Sequence, residues 1–215
     1  MTRDTIPTLD DTWQGWRALL PVWPPEEQRA GLMLLRELAK GEPVGAARLA
    51  RALGAPTAEA EALVRGSGLS PFVYADDDGR AVGFLGLSTA RTRHRFAIDG
   101  RTLWTWCAQD TLFLPELLGA TAQVESSDPE TGEPVRLTVS PRGIVAVEPR
   151  GVAVSMVRPD TADLTSAARI IATACHFIFF FASRATGERW AAAHPQTVLL
   201  SLDEAFTLAK RQNAA

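Results

Sequence analysis

The chain has 215 residues, 46% of them apolar, and a formal net charge of −3. That is enough apolar side chain for a real core, without the cationic excess that would draw a protein to nucleic acid or anionic lipid, so a small-molecule partner is favoured. The opening MTRDTIPTLDD has no basic stretch followed by an apolar run, which argues against a secretory signal and for a cytoplasmic location, where Cys107 and Cys175 should be free thiols.

In chain order, residues 1–23 form an N-terminal extension carrying Trp13, Trp16 and Trp23. Trp13, Trp16 and Leu20 fall at i, i+3 and i+7, which predicts one apolar face of a short helix running from a cap at Asp11 to a stop at Pro21. From Pro25 to Lys40 the spacing of Leu32, Leu35 and Leu38 is helical, with Glu26 and Glu27 in the first turn and Gly41 as the stop. Shorter helices follow from Gly45 to Leu53 and from a Thr57 cap to Arg65. Phe72 to Tyr74, the turn Asp76-Asp77-Asp78-Gly79, and Val82 to Leu85 then predict a β-hairpin. Three helices and a hairpin over residues 24–90 make a winged-helix-like pattern.

That pattern raises a metal-responsive DNA-binding module as an alternative function, and charge argues against it. Residues 24–86 hold seven cationic against nine acidic side chains, and the third helix offers Glu59 and Glu61 where a reader helix would present Arg, Lys, Asn or Gln to base edges.

Residues 91–215 read as an α+β domain. HRFAID and GRTLWTW flank Asp99-Gly100, a type I′ hairpin signal. Asp110 to Leu118 predicts a short helix broken by Pro115. TAQVESS, VRLTVS, IVAVEP and VAVSMV predict four strands of one meander. Asp163 to about Ala172 is predicted helical. The apolar run up to Ala182, HFIFFFAS above all, reads as a central buried strand, too short for the roughly 18 to 20 residues of a membrane-spanning helix. Thr186 to Ala193 and Asp203 to Arg211 are closing helices. The fold class is therefore α+β, a helical N-terminal part packed on antiparallel sheet.

Chemistry concentrates in LWTWCAQDTLFLPELLG, where Cys107 and Asp110 stand at i, i+3 among Trp104, Trp106 and Phe113. On a helical turn the pair would share a face, so the carboxylate could exchange a proton with the thiol. The same residues also fit a buried apolar cysteine and an Asp at a helix start. Cys175 lies in an apolar segment where a thiol is ordinarily inert, but two thiolates in a dry pocket suit a soft ion of low coordination number. Zinc fits poorly, since only His94, His176 and His194 remain to complete four ligands. A cysteine hydrolase, with Cys107 as nucleophile and His94 or His176 as base, is a further alternative.

WCAQDTLFLPELLG, LTVSPRGIVAVEPRGVAVSMVRP, CHFIFFFAS and SLDEAFTLAKR resemble blocks of the alkylmercury (organomercurial) lyases of bacterial mercury resistance, as do ELAKGEPV and HRFAIDGRTLWTWCA. The resemblance runs from about Leu32 to about Arg211. It implies a winged-helix-like N-terminal domain on a C-terminal domain of antiparallel sheets, and it places Cys107, Asp110 and Cys175 as the catalytic residues. The implied reaction is protonolysis of a carbon–mercury bond to a hydrocarbon and Hg(II), the latter bound as product by Cys107, Cys175 and Asp110. Trp106 and Phe113 would line the substrate pocket. No organic cofactor or resting metal is implied; cellular thiols such as glutathione would support turnover, and the product would pass to thiols or to mercuric reductase. The segment before Pro24 is longer than in the family's pattern, and His176 stands where some members carry a second cysteine.

Overall fold

Helix α1, Leu9–Leu19, begins three residues earlier than expected because Thr8, not Asp11, is its cap. The Thr8 hydroxyl accepts from the Asp11 amide at 3.1 Å, and the Asp11 carboxylate reaches back to the Thr8 amide at 3.0 Å. This reciprocal box satisfies two orphan amides, which a start at Asp11 would not. The computed structural model describes residues 8–214, so the first seven residues of the extension lie outside the described residues.

Helices α2 (Pro25–Leu38), α3 (Ala46–Leu53) and α4 (Thr57–Arg65) follow as the periodicity predicts, although Pro56 rather than Thr57 precedes the last. Strands β1 (Val73–Ala75) and β2 (Ala81–Phe84) make the expected hairpin. After them, Leu85 and Gly86 turn the chain into β3, Leu87–Ser88. Both turn residues have positive φ, 47° and 87°.

β4 (His94–Ile98) and β5 (Arg101–Thr105) pair around Asp99-Gly100, whose φ values of 49° and 73° match the predicted turn. α5 spans Asp110–Leu118 and passes through Pro115 unbroken. It packs against the C-terminal helix, and Asn213 there donates to the Phe113 carbonyl at 3.0 Å, so tertiary contact holds a helix that the proline weakens. With β6 (Ala122–Ser127), β7 (Pro134–Ser140) and β8 (Gly143–Glu148), these strands form an eight-stranded sheet ordered β1-β2-β3-β5-β4-β6-β7-β8. The sheet is thus continuous across position 90.

The fourth strand of the predicted meander leaves it. β9, Ala153–Val157, is buried at all five positions and is the central strand of a second sheet, β10-β9-β11. VAVSMV is an apolar run rather than an alternation, the pattern of a strand covered on both faces. The predicted strand through HFIFFFAS is also corrected. Ser166 caps helix α6 (Ala167–Thr173), Cys175–Phe177 is a 3-10 turn, and only Phe180–Phe181 is strand, β10. The helix expected from Asp163 to about Ala172 is present as α6, starting later, and alanines 167, 168 and 172 favour it. α7 (Arg184–Ala193), β11 (Thr197–Ser201) and α8 (Leu202–Asn213) complete the chain.

Buried Asp128 joins the two sheets: its carboxylate accepts from the amides of Glu130 and Ala182 and from the Thr186 hydroxyl, at 2.8, 2.9 and 2.7 Å. The architecture is α+β with antiparallel sheets. Among the described residues no helix is long and apolar enough to cross a membrane.

Candidate active site

Between β5 and α5 the chain turns through Trp106 to Gln109, and local hydrogen bonds fix the turn. The Thr105 hydroxyl donates to the Cys107 carbonyl at 2.8 Å, and the Thr111 hydroxyl donates to the Ala108 carbonyl at 2.8 Å. Asp110 is the first residue of α5, and its Oδ2 accepts from the Cys107 amide at 2.7 Å. Cys107 therefore lies ahead of the helix, not on its face. The two side chains meet because the carboxylate reaches back one turn.

Cys175 comes to the same place by a different route. The Ala108 amide donates to the Ile178 carbonyl at 3.1 Å, stitching the segment after Cys107 to the segment after Cys175. Ser155 of β9 holds that second segment from below: its hydroxyl donates to the Phe177 carbonyl at 2.7 Å and accepts from the Phe179 amide at 2.9 Å. As a result both sulfurs and a carboxylate oxygen of Asp110 lie within 4.8 Å of one another. Two metal–thiolate bonds of roughly 2.3 Å, the zinc value, would span about 4.6 Å in a line, so the pair can share one soft ion.

All three groups are buried, with exposures of 3% for Cys107, 8% for Asp110 and 4% for Cys175. Burial raises the Asp110 carboxyl to about 7, against the lowering effect of the hydrogen bond from the Cys107 amide. Burial, then the neighbouring Cys175, pushes the Cys107 thiol well above its ordinary value. For Cys175 the hydrogen bond with Cys107 lowers the thiol, but burial and the nearby Asp110 carboxylate outweigh it and the net shift is upward. The resting site thus holds protonated thiols beside an acid poised near neutrality.

The site opens into a cavity of about 100 Å³ walled by apolar side chains, Trp106 and Phe113 among them. No histidine belongs to it among the described residues. His94 is buried, bonded through Nδ1 to the Ser126 hydroxyl at 2.9 Å, and held by desolvation at about 3, so it stays neutral. His176 is exposed on the turn after Cys175, and His194 bonds the Trp190 carbonyl at 2.8 Å. The hydrolase alternative therefore lacks its base.

Two neighbours of the acid escaped sequence reasoning. A Cβ on Gly86 would sit 2.3 Å from the Asp110 Cγ and 2.5 and 2.7 Å from its oxygens, so only glycine lets the β2–β3 turn cover the carboxyl. The Trp106 amide donates to the Gly86 carbonyl at 2.8 Å and fixes that contact. The sequence GFLGLS carries a faint signal, a glycine between two short apolar runs. Gln109 donates its amide to the Ala205 carbonyl at 3.1 Å, leaving its buried Oε1 without a partner beside the cavity.

Known proteins resemble the chain over most of its length. The alkylmercury lyase family model matches residues 87–213. The chain is 42% identical over 178 residues to an alkylmercury lyase of Bacillus cereus, covering 82% of this chain and 77% of that one. It is 38% identical over 181 residues to the alkylmercury lyase of Staphylococcus epidermidis, covering 84% and 80%. The solved mercury-bound form of MerB2 superposes with a TM-score of 0.75 at 25% identity, over 93% of this chain and 95% of that one. With a family model that spans more than half of the sequence and relatives this similar over four fifths of it, the chain belongs to the alkylmercury lyase family.

Proposed function

We propose that the chain cleaves the carbon–mercury bond of organomercurials by protonolysis, with Cys107 and Cys175 binding mercury and Asp110 relaying the proton. The observation that carries this is the convergence of two thiols and a buried acid within 4.8 Å. The substrate arrives as R–Hg–SR′ on a carrier thiol. One cysteine sulfur replaces the carrier on mercury, and that cysteine's proton leaves with the carrier as R′SH. The second thiol passes its proton to Asp110 as its sulfur bonds mercury, and Asp110 delivers that proton to carbon as the carbon–mercury bond breaks. The products are R–H and Hg(II) held by two thiolates.

Each residue's environment supports its step. Two sulfurs push electron density onto mercury while carbon gains carbanion character. An acid near 7 can take a proton from a thiol that is losing it to mercury and still donate it onward. Metal binding displaces thiol protons, so the high resting values of the cysteines are overcome as mercury arrives. Trp106 and Phe113 keep water out and face the organic group.

External thiols such as glutathione or cysteine would then remove Hg(II), with hand-off to a mercuric reductase, in a reducing cytoplasm that keeps both cysteines free. No organic cofactor is assigned. Helices α2–α4 followed by hairpin β1–β2 have the order of a winged helix; residues 24–90 would use it to close the site, residues 1–23 to cover it, and residues 91–215 to supply the chemistry.

The test is release of methane or benzene from methyl- or phenylmercury with excess thiol. Cys175→Ala should still take up one organomercurial at Cys107 but lose at least about 100-fold in turnover, the order expected when a group acting in the transition state is removed. Full turnover in that variant would rule out the two-sulfur mechanism.

A further inference from the structure

Beside the cavity that holds the two sulfurs and the acid lies a second, half-open hollow of about 500 Å³. Leu20, Phe72, Leu85, Phe113 and Gln212 line both spaces, so the two adjoin across a shared wall. Val22 on the hollow's rim is 72% exposed, while Leu35 and Phe84 in its floor are buried, so it leads from solvent towards the core. Its volume falls within the roughly 300–1,000 Å³ of small-molecule sites.

The lining is largely apolar, and Arg17 is its only charged side chain among the described residues. Arg17 is half-buried near the end of α1. The carboxylates of its own helix are committed elsewhere: Asp10 pairs with Arg211 at 2.6 Å, and Asp11 closes the cap at Thr8. Among the described residues Arg17 therefore has no ion pair, and no carboxylate shares the hollow with it. Its turn of helix is held in place, because the Trp16 indole N–H donates to the Val157 carbonyl at 3.1 Å and ties α1 to β9.

Resting on the lyase reading, we propose that this hollow seats the carrier thiol of the incoming substrate, and that Arg17 selects carriers bearing a carboxylate, such as glutathione and cysteine.

Two-coordinate mercury explains the need for a second space. In R–Hg–SR′ the carbon and the sulfur stand on opposite sides of the metal. Protonation requires the carbon near Asp110, so the carrier is directed away from the acid and needs a place of its own. When a cysteine sulfur bonds mercury, the bond from mercury to the carrier breaks, and the carrier leaves as R′SH with that cysteine's proton. The exchange involves no oxidation, and the open side of the hollow lets the freed thiol escape. A guanidinium can hold the carrier's carboxylate through two parallel N–H···O bonds. Gln212, which lines both spaces, adds a neutral amide donor and acceptor for the carrier's other polar groups.

An arginine in the last turn also complements the dipole of α1. That role is indifferent to which thiol carries mercury, so carrier dependence separates the two.

The experiment follows single-turnover methane release from preformed methylmercury adducts of glutathione, cysteine, mercaptoethanol and cysteamine, with enzyme varied in excess. It compares the full chain with Arg17→Gln, Arg17→Glu and Arg17→Lys. The second-order rate constant for the glutathione and cysteine adducts should fall at least about fivefold in Arg17→Gln and further in Arg17→Glu, with Arg17→Lys retaining most of it. The neutral mercaptoethanol adduct should stay within about twofold in every variant, and the cationic cysteamine adduct should gain in Arg17→Glu. The limiting rate at saturating enzyme should not change, because Arg17 does not line the cavity where the bonds break. In the unaltered chain the advantage of glutathione over mercaptoethanol should shrink with added salt. Equal changes for all four adducts, or an unchanged glutathione rate in Arg17→Glu, would overturn the proposal and leave the lyase reading intact. Absence of methane from every adduct in the unaltered chain would overturn both.

Discussion

Replacing Gly86 by alanine should uncouple folding from catalysis, and a matched control exists elsewhere in the chain. Gly86 and Gly100 occupy the same position in two tight hairpin turns, with φ of 87° and 73°, each preceded by a non-glycine residue that also has positive φ. Alanine at either site costs about 1–2 kcal/mol for the left-handed backbone. Only at Gly86 does the new methyl meet something: it would lie 2.3 Å from the Asp110 Cγ, whereas nothing lies within 4 Å at Gly100. Restoring an ordinary carbon–carbon contact of roughly 3.5 Å means moving the carboxyl by about 1 Å, and a displacement of that size at a reacting group costs on the order of 100-fold in rate. Gly100→Ala therefore reports the backbone cost alone in thermal or urea melts, and Gly86→Ala should lose that much plus about 1–3 kcal/mol for the contact. Single-turnover hydrocarbon release should fall about 100-fold in Gly86→Ala alone. Equal rates in the two variants, each still able to bind Hg(II), would show that the turn does not position Asp110.

The remaining predictions concern buried carboxylates. Asp110 is raised by burial from its ordinary value near 3.8 to about 7, so the folded state holds a proton that the unfolded chain gives up; its contribution is complete below 3.8 and lost as pH rises through about 7. The stability at stake is on the order of 4 kcal/mol. Asp110→Asn should therefore raise the urea midpoint at pH 8.5 relative to the unaltered chain, with little difference at pH 4, while abolishing cleavage; an equal effect at both pH values would contradict the burial of an ionisable acid. Asp128 accepts hydrogen bonds from the β6–β7 loop, from the residue after β10 and from α7, and Asp128→Ala should cost about 3 kcal/mol in the same melts by stranding buried donors. A loss under 1 kcal/mol would show that water replaces the carboxylate.

Much of the N-terminal half was legible because its signals are local. Caps, glycine stops and the Asp99-Gly100 turn each depend on a few neighbouring residues, and α2 to α4 and the β4–β5 hairpin lie where those residues put them. The Leu85-Gly86 turn was not legible, because leucine at φ 47° contradicts its own preference and only packing enforces it. VAVSMV gave its burial away but not its sheet, since a strand covered on both faces carries no mark of its partners. Cys107 and Asp110 were legible as a pair for the wrong geometric reason: they meet through a carboxylate reaching back to an amide, not across a shared helical face. Nothing local connects Cys175 to them. Its place depends on the Ala108–Ile178 and Ser155 hydrogen bonds; the sequence pointed there only through the chemistry of two thiols suited to one soft ion and through the family resemblance. The apolar face of α1 was plain from its period, while the cavity it covers belongs to the tertiary structure.

One physical condition links these features. An exposed aspartate with a value near 4 would hold a proton in about one molecule in a thousand at pH 7; raised to about 7, Asp110 holds it in roughly half. Water must therefore be kept from the carboxyl, and the molecule does this from three directions: the β2–β3 turn at Gly86, the aromatic side chains of Trp106 and Phe113, and the outer wall of α1. The same exclusion raises both thiols, which would disable an ordinary cysteine nucleophile. A soft metal removes that conflict, because it displaces the sulfur protons itself and needs a nearby acceptor for only one of them. A dry pocket of this kind suits chemistry in which the electrophile makes its own thiolates, and it would be a poor design for one in which the enzyme must ionise cysteine first.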